Sequence, residues 1–253
     1  MSRKTQFGTI IWHDLLTHTA AQVKDFYAEL LGWDYQIEHA TDCAWTSGEA
    51  DYLLIMAQEE AHGGIVSVAQ AQPAYWLGYV CVEQVDTVMQ KAIHLGASIH
   101  REPFDVPGVG RNAVIRDPLG ALIGLTTPTH LYPPPKGTFL MDVLVTLDID
   151  FAKQFYTKLF GWQAKDIESD RRGQYSLFKT ADATRPVGTV LRSPAHFSPA
   201  VWVPMMATTD RQAALTRALS LGANTIDDIP DTAPDIILTD PTGARFGLSA
   251  IGS

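Results

Sequence analysis

The chain has 253 residues, a net charge of −9, 46% hydrophobic residues and two cysteines. No apolar run approaches the length of a membrane span, the first residues lack the apolar segment of a signal peptide, and no basic patch suits nucleic acid or an anionic membrane. We therefore expect a cytoplasmic globular protein that binds neither nucleic acid nor membrane. Cys43 and Cys81 do not form a zinc-type pair, and we expect no disulfide between them.

The chain contains an internal repeat. Phe26-Tyr27 recurs as Phe155-Tyr156, and Gly32-Trp33 recurs as Gly161-Trp162. Further on, Trp76 recurs as Trp202, and the Asp117-Pro118 pair recurs as Asp240-Pro241. Recurrence in one order indicates that a single unit was duplicated. Function should therefore be sought in what the two copies share and where they differ.

The first half begins with a β-α-β-β-β module. A strand is predicted over residues 9–16, and an amphipathic helix follows over 20–31 and ends at Gly32. Thr19 and Gln22 have the T-x-x-Q spacing of a capping box at the start of this helix. Short strands are then predicted at 43–47, 51–57 and 65–69, with Gly63-Gly64 forming a turn before the last of them.

Three further modules follow. The second has a strand at 75–82, a helix ended by Gly96, and strands at 98–101, 111–116 and 121–126. The prolines of LYPPPKG, residues 131–137, favour an extended linker. The third and fourth modules run over 138–193 and 200–251. The predicted domains are therefore 1–130 and 138–253, joined by 131–137.

These motifs resemble those of a known superfamily. F-Y-x-x-L-x-G-W after a strand, with D-P-x-G-A near the end of a module, is similar to the vicinal oxygen chelate pattern of glyoxalase I, extradiol dioxygenases and bleomycin resistance proteins. Its two-domain bacterial glyoxalase-like branch is most similar, through W-H-D-L (12–15), V-P-G-V-G-R (106–111) and D-P-L-G-A (117–121). The resemblance implies an α+β fold in which four β-α-β-β-β modules form two glyoxalase-like domains with cupped mixed sheets. It also implies a small-molecule ligand in the cup and leaves a homodimer open.

Many members of this superfamily hold a divalent metal in the cup. The resemblance places the ligand positions of the first strands on Trp12, Leu77, Met141 and Val203, and those of the last strands on Gly124 and Gly247. None of these side chains is a ligand for a divalent ion. We therefore expect no cofactor, although an atypical divalent metal held by an irregular set of side chains stays open.

Two residues are candidates for catalysis. Strand alternation places Trp12 and Asp14 on one face, which by resemblance is the cup, and His13 on the other. Asp14 could act as a general base or bind a cationic group of a ligand, whereas the alternative is a structural ion pair. Tyr79 could donate a hydrogen bond to an oxyanion, and its alternative is a satisfied core tyrosine.

A wider set of residues is a candidate for ligand binding. Trp12, Trp45 and Tyr52 could stack on a flat ligand or pack in the core. Arg111 and Arg116 could hold a carboxylate or form surface ion pairs. The full predicted ligand-binding set is Trp12, Asp14, Trp45, Tyr52, Tyr79, Asn112 and Arg116.

The second half lacks these polar groups. Met141 and Val143 stand where Trp12 and Asp14 do, and we interpret the second cup as a structural copy.

The sequence leaves three candidate functions for the chain. The first is metal-free small-molecule binding in the N-terminal cup. The second is a lyase, isomerase or hydroxylase that uses Asp14 as general base, and the third is a structural role with both cups filled.

Overall fold

The computed structural model describes residues 6–41, 45, 49–57, 60–68, 73–130, 136–169, 173–181, 186–193, 199–226 and 236–250. These residues form sixteen strands and four helices. The strand predicted at 43–47, apart from Trp45, and most of the linker predicted at 131–137 lie outside them. No helix in the described ranges is both long and apolar enough to cross a membrane.

The first half forms one eight-stranded mixed sheet. Its elements are β1 (Ile10–Thr17), α1 (Ala20–Leu31), β2 (Asp34–Thr41), β3 (Glu49–Ala57), β4 (Glu60–Ser67), β5 (Tyr75–Cys81), α2 (Val85–His94), β6 (Ser98–Val106), β7 (Gly110–Arg116) and β8 (Leu122–Pro128). The strand order is β2-β3-β4-β1-β5-β8-β7-β6. Strand β1 runs parallel to β4 and β5 parallel to β8, whereas β2–β3, β3–β4, β6–β7 and β7–β8 pair antiparallel.

The second half repeats this topology. Its elements are β9 (Phe139–Thr146), α3 (Ile149–Phe160), β10 (Gln163–Ser169), β11 (Gly173–Lys179), β12 (Gly188–Arg192), β13 (Val201–Thr208), α4 (Arg211–Ser220), β14 (Asn224–Thr225), β15 (Ile236–Thr239) and β16 (Arg245–Ala250). The order β10-β11-β12-β9-β13-β16-β15-β14 matches that of the first sheet position by position. The predicted α+β class, with a β-α-β-β-β module used four times, is confirmed.

Three local predictions need comment. The helix predicted over 20–31 is confirmed, and Gly32 takes the left-handed conformation (φ 70°) that favours glycine after a helix. The predicted capping box is wrong, because Thr19 is the N-cap residue but its side chain makes no cap hydrogen bond. The turn predicted at Gly63-Gly64 is also wrong, since both glycines lie inside strand β4.

The chain divides into two compact units, each of which takes one module from each half. One unit comprises 1–11, 78–134 and 141–202, and the other comprises 12–77, 135–140 and 203–253. Each unit has its own apolar core. Tyr156, Trp162 and Trp202 lie in the core of the first, and Tyr27, Trp33 and Trp76 lie in that of the second.

The recurring motif residues meet in these cores. In one unit, the buried Tyr27 hydroxyl donates to Asp240 Oδ2 at 3.1 Å and accepts from Trp76 Nε1 at 3.0 Å. In the other unit, Tyr156 donates to Asp117 Oδ2 at 2.7 Å and accepts from Trp202 Nε1 at 2.8 Å. Buried polar groups are stable only when they are hydrogen-bonded, so each tyrosine satisfies two neighbours at once.

These two tyrosine–aspartate–tryptophan groups explain the recurrence of the motifs. The tyrosine of each F-Y pair contacts the aspartate of a D-P turn that belongs to the other half of the sequence. Burial raises the pKa of Asp117 and of Asp240, and their hydrogen bonds oppose that rise. The repeated residues therefore have a structural role. We look for the functional residues among those that differ between the two halves.

Candidate functional site

The Asp14 carboxylate is the centre of a group of aromatic hydrogen-bond donors. Its Oδ1 accepts from the Tyr52 hydroxyl at 2.6 Å and from Trp12 Nε1 at 3.0 Å. Its Oδ2 accepts from Trp45 Nε1 at 3.4 Å, and Trp12 Nε1 also lies 2.9 Å from the Tyr52 oxygen. We call Trp12, Asp14, Trp45 and Tyr52 the Asp14 cluster, and all four belong to one compact unit.

The Asp14 cluster combines a buried carboxylate with partly exposed rings. Asp14 is 4% exposed, whereas Trp12, Trp45 and Tyr52 are each only partly buried. Hydrogen bonds that end on a carboxylate are stronger than those between neutral groups. The rings are therefore held in fixed orientations while part of their surface remains accessible to a ligand.

The sheet explains how distant residues reach Asp14. Trp12 and Asp14 are two positions apart on β1 and so share a face, whereas His13 points the other way and stacks on Phe139 with ring centroids 4.2 Å apart. Strand β4 lies between β1 and β3, with Asp14 paired to Gly64 and Tyr52 paired to Val66. The predicted grouping of Trp12 with Asp14 thus extends to Tyr52 and Trp45.

The other three predicted residues lie in the compact unit that comprises 1–11, 78–134 and 141–202, which does not contain the Asp14 cluster. Tyr79 is 4% exposed, and its ring lies over Gly124 on the paired strand β8. Asn112 is buried and donates from Nδ2 to the Gly110 carbonyl at 3.0 Å. Arg116 donates from Nη1 to the Gly120 carbonyl at 3.0 Å, which ties it to the D-P-L-G turn. Their proposed contacts with a ligand stay predictions.

Arg111 forms surface ion pairs, which is the alternative to a role in holding a ligand carboxylate. Its Nη1 donates to Asp105 Oδ2 at 2.8 Å and its Nη2 donates to Asp86 Oδ1 at 2.9 Å. The hydrogen bond from Arg111 lowers the pKa of the exposed Asp86 carboxyl. Arg111 therefore links strand β7 to strand β6 and to helix α2.

The positions that hold metal in many relatives do not fit a metal here. Gly124 offers no side chain, and Cε1 and Cγ of Tyr79 both lie 2.8 Å from where its Cβ would be. At Gly247 the corresponding space is filled by the end of the Met205 side chain. A ligand side chain at either position would have to displace its neighbour. In the described part of the chain, no three His, Cys, Asp or Glu residues form a group suited to a metal ion.

The second sheet has the same register but different residues. Val143 pairs with Thr189 where Asp14 pairs with Gly64, and Tyr175 pairs with Leu191 where Tyr52 pairs with Val66. The carboxylate and the indole of Trp12 are thus replaced by Val143 and Met141. The second half keeps a tyrosine at the register position of Tyr52 and has a valine at that of Asp14.

Comparison with known proteins agrees with this fold. Residues 9–125 match the family described as the glyoxalase/bleomycin resistance protein/dioxygenase superfamily, and residues 139–249 match the glyoxalase-like domain. The chain belongs to this superfamily, the vicinal oxygen chelate proteins, and carries two glyoxalase-like domains. The resemblance inferred from the motifs is confirmed.

Individual relatives span nearly the whole chain. CFP32 of Mycobacterium tuberculosis, whose name proposes a glyoxylase, is 29% identical over 98% of this chain and 97% of its own. The anthracycline biosynthesis protein DauV of Streptomyces sp. strain C5 is 27% identical over 95% of this chain and 92% of its own. Homoprotocatechuate 2,3-dioxygenase of Brevibacterium fuscum shares the fold, with a TM-score of 0.63, 14% identity, and coverage of 95% of this chain and 79% of that one.

Sequence reasoning missed one residue of this region. Gly64 pairs with Asp14 across β1 and β4, whereas the sequence pattern predicts a turn at the glycine pair. A glycine inside a strand often marks a close approach by another group, and that signal was available. The group that approaches Gly64 is Tyr52 on strand β3, and it can be identified only once β3 is known to lie beside β4.

Proposed function

We propose that the protein binds a flat aromatic small molecule at the Asp14 cluster and does so without a metal. The observation that carries this proposal is the convergence of Trp12, Trp45 and Tyr52 on one buried carboxylate. Binding sites for small molecules typically combine apolar and aromatic walls with a few polar groups that fix the orientation of the ligand.

The chemistry of the cluster suits this class of ligand. Partly exposed indole and phenol rings offer faces on which a planar ring can stack. A carboxylate has about four lone-pair positions, so a hydroxyl or amine of the ligand can donate to Asp14 beside the protein donors. A flat ring that carries a hydrogen-bond donor therefore fits both features.

The relatives support the same choice. DauV is named for anthracycline biosynthesis, and anthracyclines are planar fused-ring compounds that carry hydroxyl groups. The two last-strand metal positions of the superfamily are closed here by Tyr79 and Met205, which favours recognition by side chains alone. We therefore choose an anthracycline as the probe ligand.

Fluorescence titration of the purified full chain with an anthracycline tests the proposal. We expect saturable binding that Asp14→Asn weakens about tenfold or more, since a lost hydrogen bond to a charged group is worth about 1.5–3 kcal/mol. Asp142→Asn makes the same chemical change on β9 and should leave the affinity within about twofold. Equal affinity in the wild type and Asp14→Asn would refute binding at this site.

A second candidate function is an enzyme in which Asp14 is the general base. The 2.6 Å hydrogen bond between Asp14 and Tyr52 favours it, because an acid and a base in contact can pass a proton. Mass spectrometry after incubation with the anthracycline separates the two candidates. A product that Asp14→Asn no longer makes, while it still binds the compound, would favour the enzyme.

A further inference from the structure

Gly64 occupies an unusual place for a glycine. It lies inside strand β4, where glycine weakens a strand because it adds no packing surface. It is also absent from the glycines with positive φ, so its backbone conformation suits any residue. A reason for glycine at this position must therefore come from its neighbours.

The neighbour is Tyr52. A Cβ atom at position 64 would overlap the Tyr52 hydroxyl and Cζ, and it would lie 2.7 Å from Tyr52 Cε1. These three atoms belong to the end of the ring that reaches Asp14, because the same hydroxyl donates to Asp14 Oδ1 at 2.6 Å. The phenol ring thus crosses β4 above Gly64, and only a missing side chain leaves it that path.

The second half has a residue with a side chain at the position equivalent to Gly64. Thr189 stands at the register position of Gly64, and Tyr175 stands at that of Tyr52. Thr189 is 1% exposed and its hydroxyl donates to Met141 Sδ at 3.0 Å. The second half thus has a β-branched side chain at the position of Gly64 and a valine at that of the carboxylate.

We infer that Gly64 is the positioning residue of the Asp14 cluster: it admits the Tyr52 ring to Asp14 and thereby restricts the aromatic ligand site to the first half. This inference rests on the proposed function for the ligand, but the position of the Tyr52 ring is measurable without any ligand. Gly64 touches no ligand itself and acts through Tyr52.

The indole N–H signals of the six tryptophans give the first measurement. Nuclear magnetic resonance of tryptophan-labelled full chain, with signals assigned by single Trp→Phe variants, reports each indole separately. Gly64→Ala should shift the signals of Trp12 and Trp45, which donate to Asp14, and leave those of Trp33, Trp76, Trp162 and Trp202 in place. Thr189→Gly is the matched control and should move neither Trp12 nor Trp45.

Anthracycline titration gives the second measurement. Gly64→Ala should weaken binding about tenfold, and Thr189→Gly should not change it. Unshifted Trp12 and Trp45 signals in Gly64→Ala would overturn the inference, as would shifted signals with wild-type affinity. If the wild type binds no anthracycline, the proposed function fails for this ligand, while the indole signals still decide whether Gly64 positions Tyr52.

A double variant covers the case in which Gly64→Ala folds poorly. Tyr52→Ala removes the ring, so a methyl group at position 64 no longer meets an obstacle. Gly64→Ala should therefore lower the melting temperature less in the Tyr52→Ala background than in the wild type. An equal loss in both backgrounds would show that Tyr52 is not what excludes a side chain from position 64.

Discussion

The Tyr52 hydroxyl donates to the Asp14 carboxylate at 2.6 Å, although the two residues lie on strands that are not neighbours in the sheet. The same oxygen accepts from Trp12 Nε1 at 2.9 Å, so Tyr52 joins the carboxylate to an indole. In the second half, Tyr175 holds the register position of Tyr52, and Val143 holds that of Asp14. The difference between the halves is thus concentrated around one carboxylate.

Removal of the Tyr52 hydroxyl should affect ligand binding more than the equivalent change in the second half. Tyr52→Phe keeps the ring but removes the donor to Asp14, and we expect about a tenfold loss of anthracycline affinity. Tyr175→Phe is the matched control and should stay within about twofold. Titration of both variants by fluorescence checks this, and equal losses would argue against a site in the first half.

Removal of a buried tyrosine hydroxyl should destabilise the fold, and this effect should not depend on a ligand. Tyr156→Phe leaves Asp117 Oδ2 and Trp202 Nε1 without a shared partner in a buried core. We expect the free energy of unfolding to fall by about 1–3 kcal/mol, the cost of leaving buried polar groups unpaired. Urea denaturation measures this loss.

The duplication supplies a control for that variant. Tyr27→Phe breaks the corresponding contacts with Asp240 and Trp76 and should cost a similar amount. An unchanged unfolding free energy in either variant would show that these hydrogen bonds contribute nothing net.

Asp117 should make the stability depend on pH with a defined sign. Burial raises the pKa of its carboxyl in the folded protein above the ordinary 3.8, so the folded state keeps this proton at pH values where the unfolded chain has released it. The stabilisation from this group is therefore fully present below 3.8 and is lost as the pH rises through the raised pKa.

Asp117→Asn isolates this effect from all other groups. Urea denaturation of the wild type and Asp117→Asn should show the wild type losing stability relative to the variant as the pH rises above 3.8. A wild type that instead gains stability relative to Asp117→Asn as the pH rises in that window would mean that the folded-state pKa lies below the ordinary value.

Chelation should leave both stability and binding unchanged. The last-strand metal positions of the superfamily are occupied here by Gly124 and Gly247, beside Tyr79 and Met205, and the first-strand positions carry Trp12, Leu77, Met141 and Val203. After dialysis against a chelator, we expect the melting temperature and the anthracycline affinity to match those of untreated protein. A loss that Mn²⁺, Fe²⁺ or Zn²⁺ restores would show a metal site built from other residues.

Much of the fold follows from patterns within the sequence, because helical and strand periodicities are local. The repeat of Phe26-Tyr27 and Asp117-Pro118 predicts the duplicated modules, and alternation along β1 predicts that Trp12 and Asp14 share a face. The contact between Tyr27 and Asp240 could not be predicted, since it joins residues 213 positions apart and depends on how modules combine.

The errors have a similar origin. Gly63-Gly64 resembles a turn because glycine usually interrupts strands, and only the neighbouring Tyr52 explains why a strand keeps one here. The sequence leaves Trp45 and Tyr52 as residues that stack on a ligand or pack in the core, and it does not predict that their polar atoms hydrogen-bond to Asp14. Side-chain contacts across a sheet depend on strand order, which the sequence of one strand does not contain.

A crystal structure of the full chain with an anthracycline tests the central claim most directly. We predict that the fused rings stack on Trp12 or Trp45 and that a ligand hydroxyl or amine lies within hydrogen-bond distance of Asp14. A ligand bound instead beside Met141 and Val143, or a divalent cation held by three or more protein atoms at the Asp14 cluster, would contradict it.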